Sequence, residues 1–118
     1  MSVSFIYYKG KKILYADYSN CKTAPETIEV LEQTRKAYLH SNEKFLALNN
    51  FTNAPSNTEY MELAKKYAKE CFDARNIKEA CFGIVGIKSI LLTAYNLVVK
   101  NKILNFNSKE EALEYLVK

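Results

Sequence analysis

At 118 residues, with 48% hydrophobic and 25% charged side chains, the chain has the size and balance of one soluble globular domain, residues 1–118, with its own core. No apolar run reaches the roughly 18 to 20 residues that span a bilayer, and the N-terminus shows neither a basic start nor a small-residue cleavage site, so membrane insertion and export are not expected. The net charge of +4 rests on scattered lysines, which make up all of the seventeen basic residues except Arg35 and Arg75; nucleic-acid modules concentrate charge in a stripe and use arginine forks, so no nucleic-acid partner is expected.

Val3 to Tyr8 is β-branched and aromatic, Lys9-Gly10-Lys11 follows as a turn, and Lys12 to Tyr18 repeats the pattern, so the pair predicts a hairpin. Thr23-Ala-Pro-Glu26 has capping-box spacing and opens a helix running to about His40. Phe45 to Leu48 predicts a short buried strand that runs into a polar loop. Ser56-Asn-Thr-Glu59 is a second capping box, and Tyr60, Ala64, Tyr67, Cys71 and Ala74 form one helical face behind it. Ala80 to Val85 is continuous in apolar character, as buried parallel strands are. Gly86 breaks it, Ile87 to Val99 predicts a markedly apolar helix, and Lys102 to Phe106 a short edge strand. Ser108-Lys-Glu-Glu111 caps a last helix with Ala112, Leu113, Leu116 and Val117 facing inward. The order β-β-α-β-α-β-α-β-α predicts an α/β domain with a mixed, mostly parallel sheet of four to five strands.

That order resembles the STAS superfamily, the small domain shared by anti-sigma-factor antagonists and sulfate-transporter tails. More narrowly, it is similar to stand-alone bacterial proteins grouped with STAS and lipid-exchange domains. The residues that carry the resemblance are Gly10 through Tyr18, the Asn49-Asn50-Phe51-Thr52-Asn53 loop, the Ile84-Val85-Gly86 strand end and the closing Phe106 to Leu116. It implies strands in sequential order, the hairpin at one edge, and helices mainly on one face. In the anti-sigma antagonists the loop after the third strand ends in a phosphorylatable Ser or Thr at a helix N-terminus, and Ser56 falls closest to that position. An unmodified Ser56 would cap the helix; a phosphate there would place negative charge on the positive end of the helix dipole. The usual Asp-Ser-Ser-Gly-like sequence is replaced by Asn53-Ala-Pro-Ser-Asn57, which lacks both the acidic residue and the glycine.

The expected working surface is the strand-to-helix loop, with Asn49, Asn50, Thr52, Asn53 and Ser56, walled by the helix start at Gly86, Lys88 and Ser89. Amides, hydroxyls and helix N–H donors there suit a neutral or anionic group, while the asparagines also suit a plain structural turn. Gly83-Ile-Val-Gly-Ile-Lys-Ser89 departs from a phosphate loop because Ile87 separates Gly86 from Lys88. His40 is the only histidine, and the cysteines Cys21, Cys71 and Cys81 lack metal-like or redox-like spacing. Free thiols in a reducing cytoplasm are expected, with no metal, no cofactor and no enzymatic chemistry. Of nine tyrosines and six phenylalanines, five crowd the hairpin: Phe5, Tyr7, Tyr8, Tyr15 and Tyr18. They predict either an aromatic sheet face for a homodimer, a lining for an apolar ligand, or a seat for the last helix. The leading expectation is a regulatory protein-interaction module of the STAS type with an unknown protein partner. The alternative is a carrier or sensor of a small apolar or lipid-like ligand, which requires an enclosed cavity.

Overall fold

Two residues in the left-handed region, Lys9 (φ 50°) and Gly10 (φ 79°), reverse the chain between β1 (Val3–Tyr8) and β2 (Lys11–Asp17). Two positive φ angles match the twist of antiparallel strands, and the register runs from Val3 opposite Ala16 to Tyr8 opposite Lys11. The computed structural model describes residues 2–55 and 57–118, with backbone alone for Ile87. Each later strand pairs parallel to its predecessor: β3 (Phe45–Asn50) to β2, β4 (Asn76–Phe82) to β3 and β5 (Ile103–Phe106) to β4. The sheet order is β1-β2-β3-β4-β5, the sequential order expected with the hairpin at one edge.

The helices are α1 (Ala24–Leu39), α2 (Thr58–Tyr67), a π-helical turn (Ala68–Phe72) continuing into α3 (Asp73–Arg75), α4 (Ile87–Val98) and α5 (Lys109–Val117). Alternation along the strands divides the core in two. One face carries Leu14, Ala16, Phe45 and Cys81, which join Val30, Leu31, Tyr38, Ala64, Tyr67, Phe72 and Tyr95 of the helices between strands. The other carries Ile13, Leu48 and Ala80, which are covered by Ala112, Leu113 and Leu116 of α5. Thr23 caps α1 by accepting from Glu26 N, while Glu26 Oε1 accepts from Lys22 N at 2.9 Å. Ser108 caps α5 by accepting from Glu111 N at 3.2 Å.

Four expectations change. First, β3 continues to Asn50, so Asn49 and Asn50 are strand residues and the loop begins at Phe51. Second, β4 begins at Asn76 instead of Ala80 and ends at Phe82, leaving residues 83–86 as a loop with Gly83 (φ 87°) and Gly86 (φ 63°) left-handed. The polar residues Asn76, Lys78 and Glu79 mask the strand in the sequence, yet each has dedicated partners. Lys78 Nζ, for example, donates to Tyr115 O at 3.1 Å and Lys118 O at 3.2 Å, tying β4 to the end of α5. Third, the cap of α2 is Asn57, whose Oδ1 accepts from Tyr60 N at 2.7 Å; Ser56 lies outside the described residues. The π turn then shifts the inward stripe, so that Ala68 and Phe72 are buried and Ala74 is exposed. Fourth, the hairpin rings divide between the two faces, and part of them forms the seat expected for the last helix. Tyr8 and Tyr15 pack beside α5, Tyr18 is buried on the opposite side, and Phe5 stacks on Phe45 at 5.6 Å. Of the five rings only Phe5 and Tyr7 are exposed.

Candidate functional site

The parallel register places Ala47 between Leu14 and Glu79, and Asn49 between Ala16 and Cys81. All of these side chains point to the face covered by α1, α2 and α4. Small residues at Ala16, Ala47, Ala54 and Ala64 leave the helices unable to close on the sheet, and a cavity of about 90 Å³ remains. Its walls are aliphatic and aromatic: Leu14, Leu31, Met61, Leu92 and Phe72, with Tyr18, Tyr38, Tyr60 and Tyr95. Its mouth lies where Pro55 and Asn57 face Ile84, Lys88 and Leu91.

Into this apolar space projects one carboxyl group. Asn49 Nδ2 donates to Glu79 Oε2 at 2.9 Å, and Asn76 Nδ2 donates to Glu79 Oε1 at 2.9 Å. The Tyr38 hydroxyl donates in turn to Asn76 Oδ1, which fixes the orientation of that amide. Burial pushes the Glu79 carboxyl up to about 7, the Asn49 hydrogen bond pulls it partly back, and Asp73 raises it further. Glu79 keeps part of its surface accessible and lines the cavity. A carboxylate offers about four lone-pair sites, and the two amides use two. Burial also raises the hydroxyls of Tyr18, Tyr38, Tyr60 and Tyr95 far above the usual phenol range, so all four stay neutral donors and acceptors.

The residues expected to form a surface site are divided by the fold. Asn49, only 6% exposed, belongs to the interior cluster with Glu79. Asn50 points to the α5 side, where its Nδ2 donates to the Tyr15 hydroxyl at 3.2 Å and its Oδ1 accepts from Thr52 N at 3.0 Å. Thr52 packs against Gly83, and Asn53 is an exposed turn residue at φ 57°. Gly86 is the N-cap of α4, and Ser89 N and Oγ both donate to Gly86 O, at 3.0 and 2.7 Å. Lys88 crosses the mouth, its Nζ donating to Ala54 O, and so straps the start of α4 to the loop after β3. Among the described residues, Asn49 and Lys88 are therefore the two expected ones that meet at the cavity. Sequence reasoning missed Glu79, Asn76, Tyr38 and Tyr95. The sequence carried little signal for them, because Glu79 follows Lys78 in a mixed polar stretch ahead of the apolar run from Ala80. Cys21, Cys71 and Cys81 are buried free thiols raised by burial, as bystander cysteines are. Among the described residues no group of three His, Cys, Asp or Glu side chains is placed to hold a metal ion.

A five-stranded sequential mixed sheet with an N-terminal hairpin and helices crossing back between parallel strands defines the SpoIIAA-like fold, the fold of the STAS and anti-sigma-antagonist-like domains. A solved structure with this architecture is that of an uncharacterized protein of the DUF3478 family from Shewanella loihica PV-4. It superposes with a TM-score of 0.73 at 13% identity, over 97% of this chain and 91% of that one. No protein-family profile matches the sequence, and no curated protein does so. No helix in the described residues is long and apolar enough to cross a membrane.

Proposed function

We propose that this protein is a non-enzymatic, cytoplasmic binder of a small, mostly apolar molecule held between the sheet and α1, α2 and α4. The observation that carries this reading is the Glu79 carboxyl, held by Asn49 and Asn76 inside an otherwise apolar cavity. Ligand sites are characteristically apolar concavities with a few convergent polar groups. A purely structural core would gain by closing the void and by avoiding a buried carboxyl. Glu79 is the only carboxylate among the described lining residues, and neither histidine nor cysteine lines the space, which supports binding over catalysis.

The test is a fluorescence-monitored melting screen of small apolar molecules against the protein and a plugged variant, Met61→Trp. Binders should raise the melting temperature of the parent and leave the variant unmoved. Equal shifts in both, or no binder at all, would sink the cavity as a site.

A second reading, the regulatory protein-interaction module, is favoured by one observation on α4. Ile90 and Leu97 are 66% and 80% exposed on a helix whose only charge is Lys88, beside the Gly86 start already suspected as a recognition surface. In this reading a protein partner docks on that ridge together with Asn53 and Ser89, and a phosphate on Ser56 would modulate it. Ile90→Ser with Leu97→Ser should then abolish partner capture while the fold persists; retained capture would remove α4 as the contact.

A further inference from the structure

Resting on the cavity-binding reading above, we infer that the ligand is a small organic cation, a primary alkylammonium, whose head sits on the free lone pairs of Glu79 among the faces of the surrounding tyrosines. Three features of the site carry this. The carboxylate has no cationic partner: none of the ion pairs among the described residues includes Glu79. Its two hydrogen bonds come from neutral amides, one to each oxygen, and leave acceptor capacity on a side chain that lines the cavity. The walls around it are tyrosine rings, whose negative faces attract ammonium groups and whose hydroxyls accept N–H donors.

The alternatives fit less well. A ligand carboxylate would set two acids against each other in a low-dielectric space, where like charges are strongly disfavoured. Among the described lining residues the single basic side chain is Lys88, at the mouth and already donating to Ala54 O. A neutral alcohol could hydrogen-bond but would leave the carboxylate charge uncompensated. Volume narrows the class further. A single water needs about 10–15 Å³ of such space, so the 90 Å³ interior admits a head and a short alkyl chain.

Binding of this kind is pH-dependent, because the ammonium pairs only with ionised Glu79. The groups facing it are Tyr18 after β2, Tyr38 on α1, Tyr60 on α2 and Tyr95 on α4, all neutral across the neutral range. Cys81 of β4 stays a thiol, Asp73 of α3 adds negative charge, and Lys88 stays turned to Ala54. With Glu79 titrating at about 7, its ionised fraction changes about 30-fold between pH 5.5 and 8.5, and the apparent affinity follows that fraction.

The experiment is a ¹⁵N-resolved titration with n-butylammonium chloride, n-butanol and sodium butyrate, read at the side-chain amides of Asn49 and Asn76. The expected result is saturable binding of butylammonium at pH 8.5, at least tenfold tighter than butanol, about 30-fold weaker at pH 5.5, and lost in Glu79→Gln. Glu79→Asp, which keeps the charge, should retain a measurable preference for the amine. Butanol binding as tightly as the amine, or butyrate binding best, would overturn the cation assignment while leaving a cavity ligand in place. If no probe shifts either amide and Met61→Trp behaves as the parent does, the cavity-binding reading falls as well.

Discussion

The residue with the largest energetic consequence is Glu79. Its carboxyl titrates at about 7 in the folded protein against an ordinary value of 4.5. The folded state therefore holds a proton that the unfolded chain has released between these two values. A raised acid favours folding fully below the unfolded value, and that stability is lost as pH rises toward 7. A shift of this size corresponds to roughly 3 kcal/mol. Urea unfolding should show stability falling from pH 5 to pH 8, and Glu79→Gln should flatten that slope; an unchanged slope in the variant would assign it elsewhere. Gly83 sets a second residue-scale limit. At φ 87°, a Cβ there would lie 2.5 Å from Thr52 N and 2.7 Å from Thr52 Cα, backbone atoms that cannot yield. Both Gly83→Ala and Gly86→Ala carry the strain of a positive φ, about 1–3 kcal/mol, and Gly83→Ala should lose more because its Cβ also meets Thr52 while that of Gly86 would meet open space. Equal losses in chemical denaturation would show that the contact with Thr52 is relieved by loop movement.

At the scale of elements, the start of α2 decides how the loop after β3 is held. Asn57 Oδ1 accepts from Tyr60 N at 2.7 Å, and its Nδ2 donates to Thr27 Oγ1 on α1 at 3.3 Å. One side chain thus caps one helix and ties it to another, at the rim of the cavity. Asn57→Ala should lower stability by roughly 1 kcal/mol, the usual loss of a cap, and raise amide exchange over the first turn of α2; a silent variant would transfer the cap to another residue. The elements themselves were largely legible in the sequence. Capping boxes at Thr23 and Ser108, the Gly10 turn and the apolar run of α4 are local signals that survive folding unchanged. The misread elements were those whose polar residues are satisfied at long range. Asn49 and Asn50 read as loop because their partners, Glu79 and Tyr15, are thirty and thirty-five residues away. Asn76 to Glu79 hid the first half of β4 for the same reason, their distant partners being Tyr38, Tyr115 and Asn49.

For the whole molecule, the two-sided sheet makes α5 indispensable. Ala112, Leu113 and Leu116 cover Ile13, Leu48 and Ala80, which are fully buried. The closure is reinforced by the Lys9–Glu114 ion pair, and by Tyr8, whose hydroxyl donates to Glu114 Oε1 at 3.2 Å. A chain ending at residue 107 should lose cooperative unfolding and bind a hydrophobic dye, because it bares the apolar face of three strands. A sharp thermal transition in that truncation would show that the sheet is stable with one face uncovered.

The sequence by itself determined the order of strands and helices along the chain and most of their ends. These follow from periodicity and capping, which act over a few residues. Only the tertiary structure decided that a cavity exists, that Glu79 enters it, and that Asn49 belongs to it while Asn50 faces away. The reason is register: alternation sends adjacent strand residues to opposite faces, and pairing of β3 with β4 brings Asn49 against Glu79 across thirty residues of chain. No local pattern encodes that meeting, because it depends on how strands align and how closely the helices can settle on small side chains.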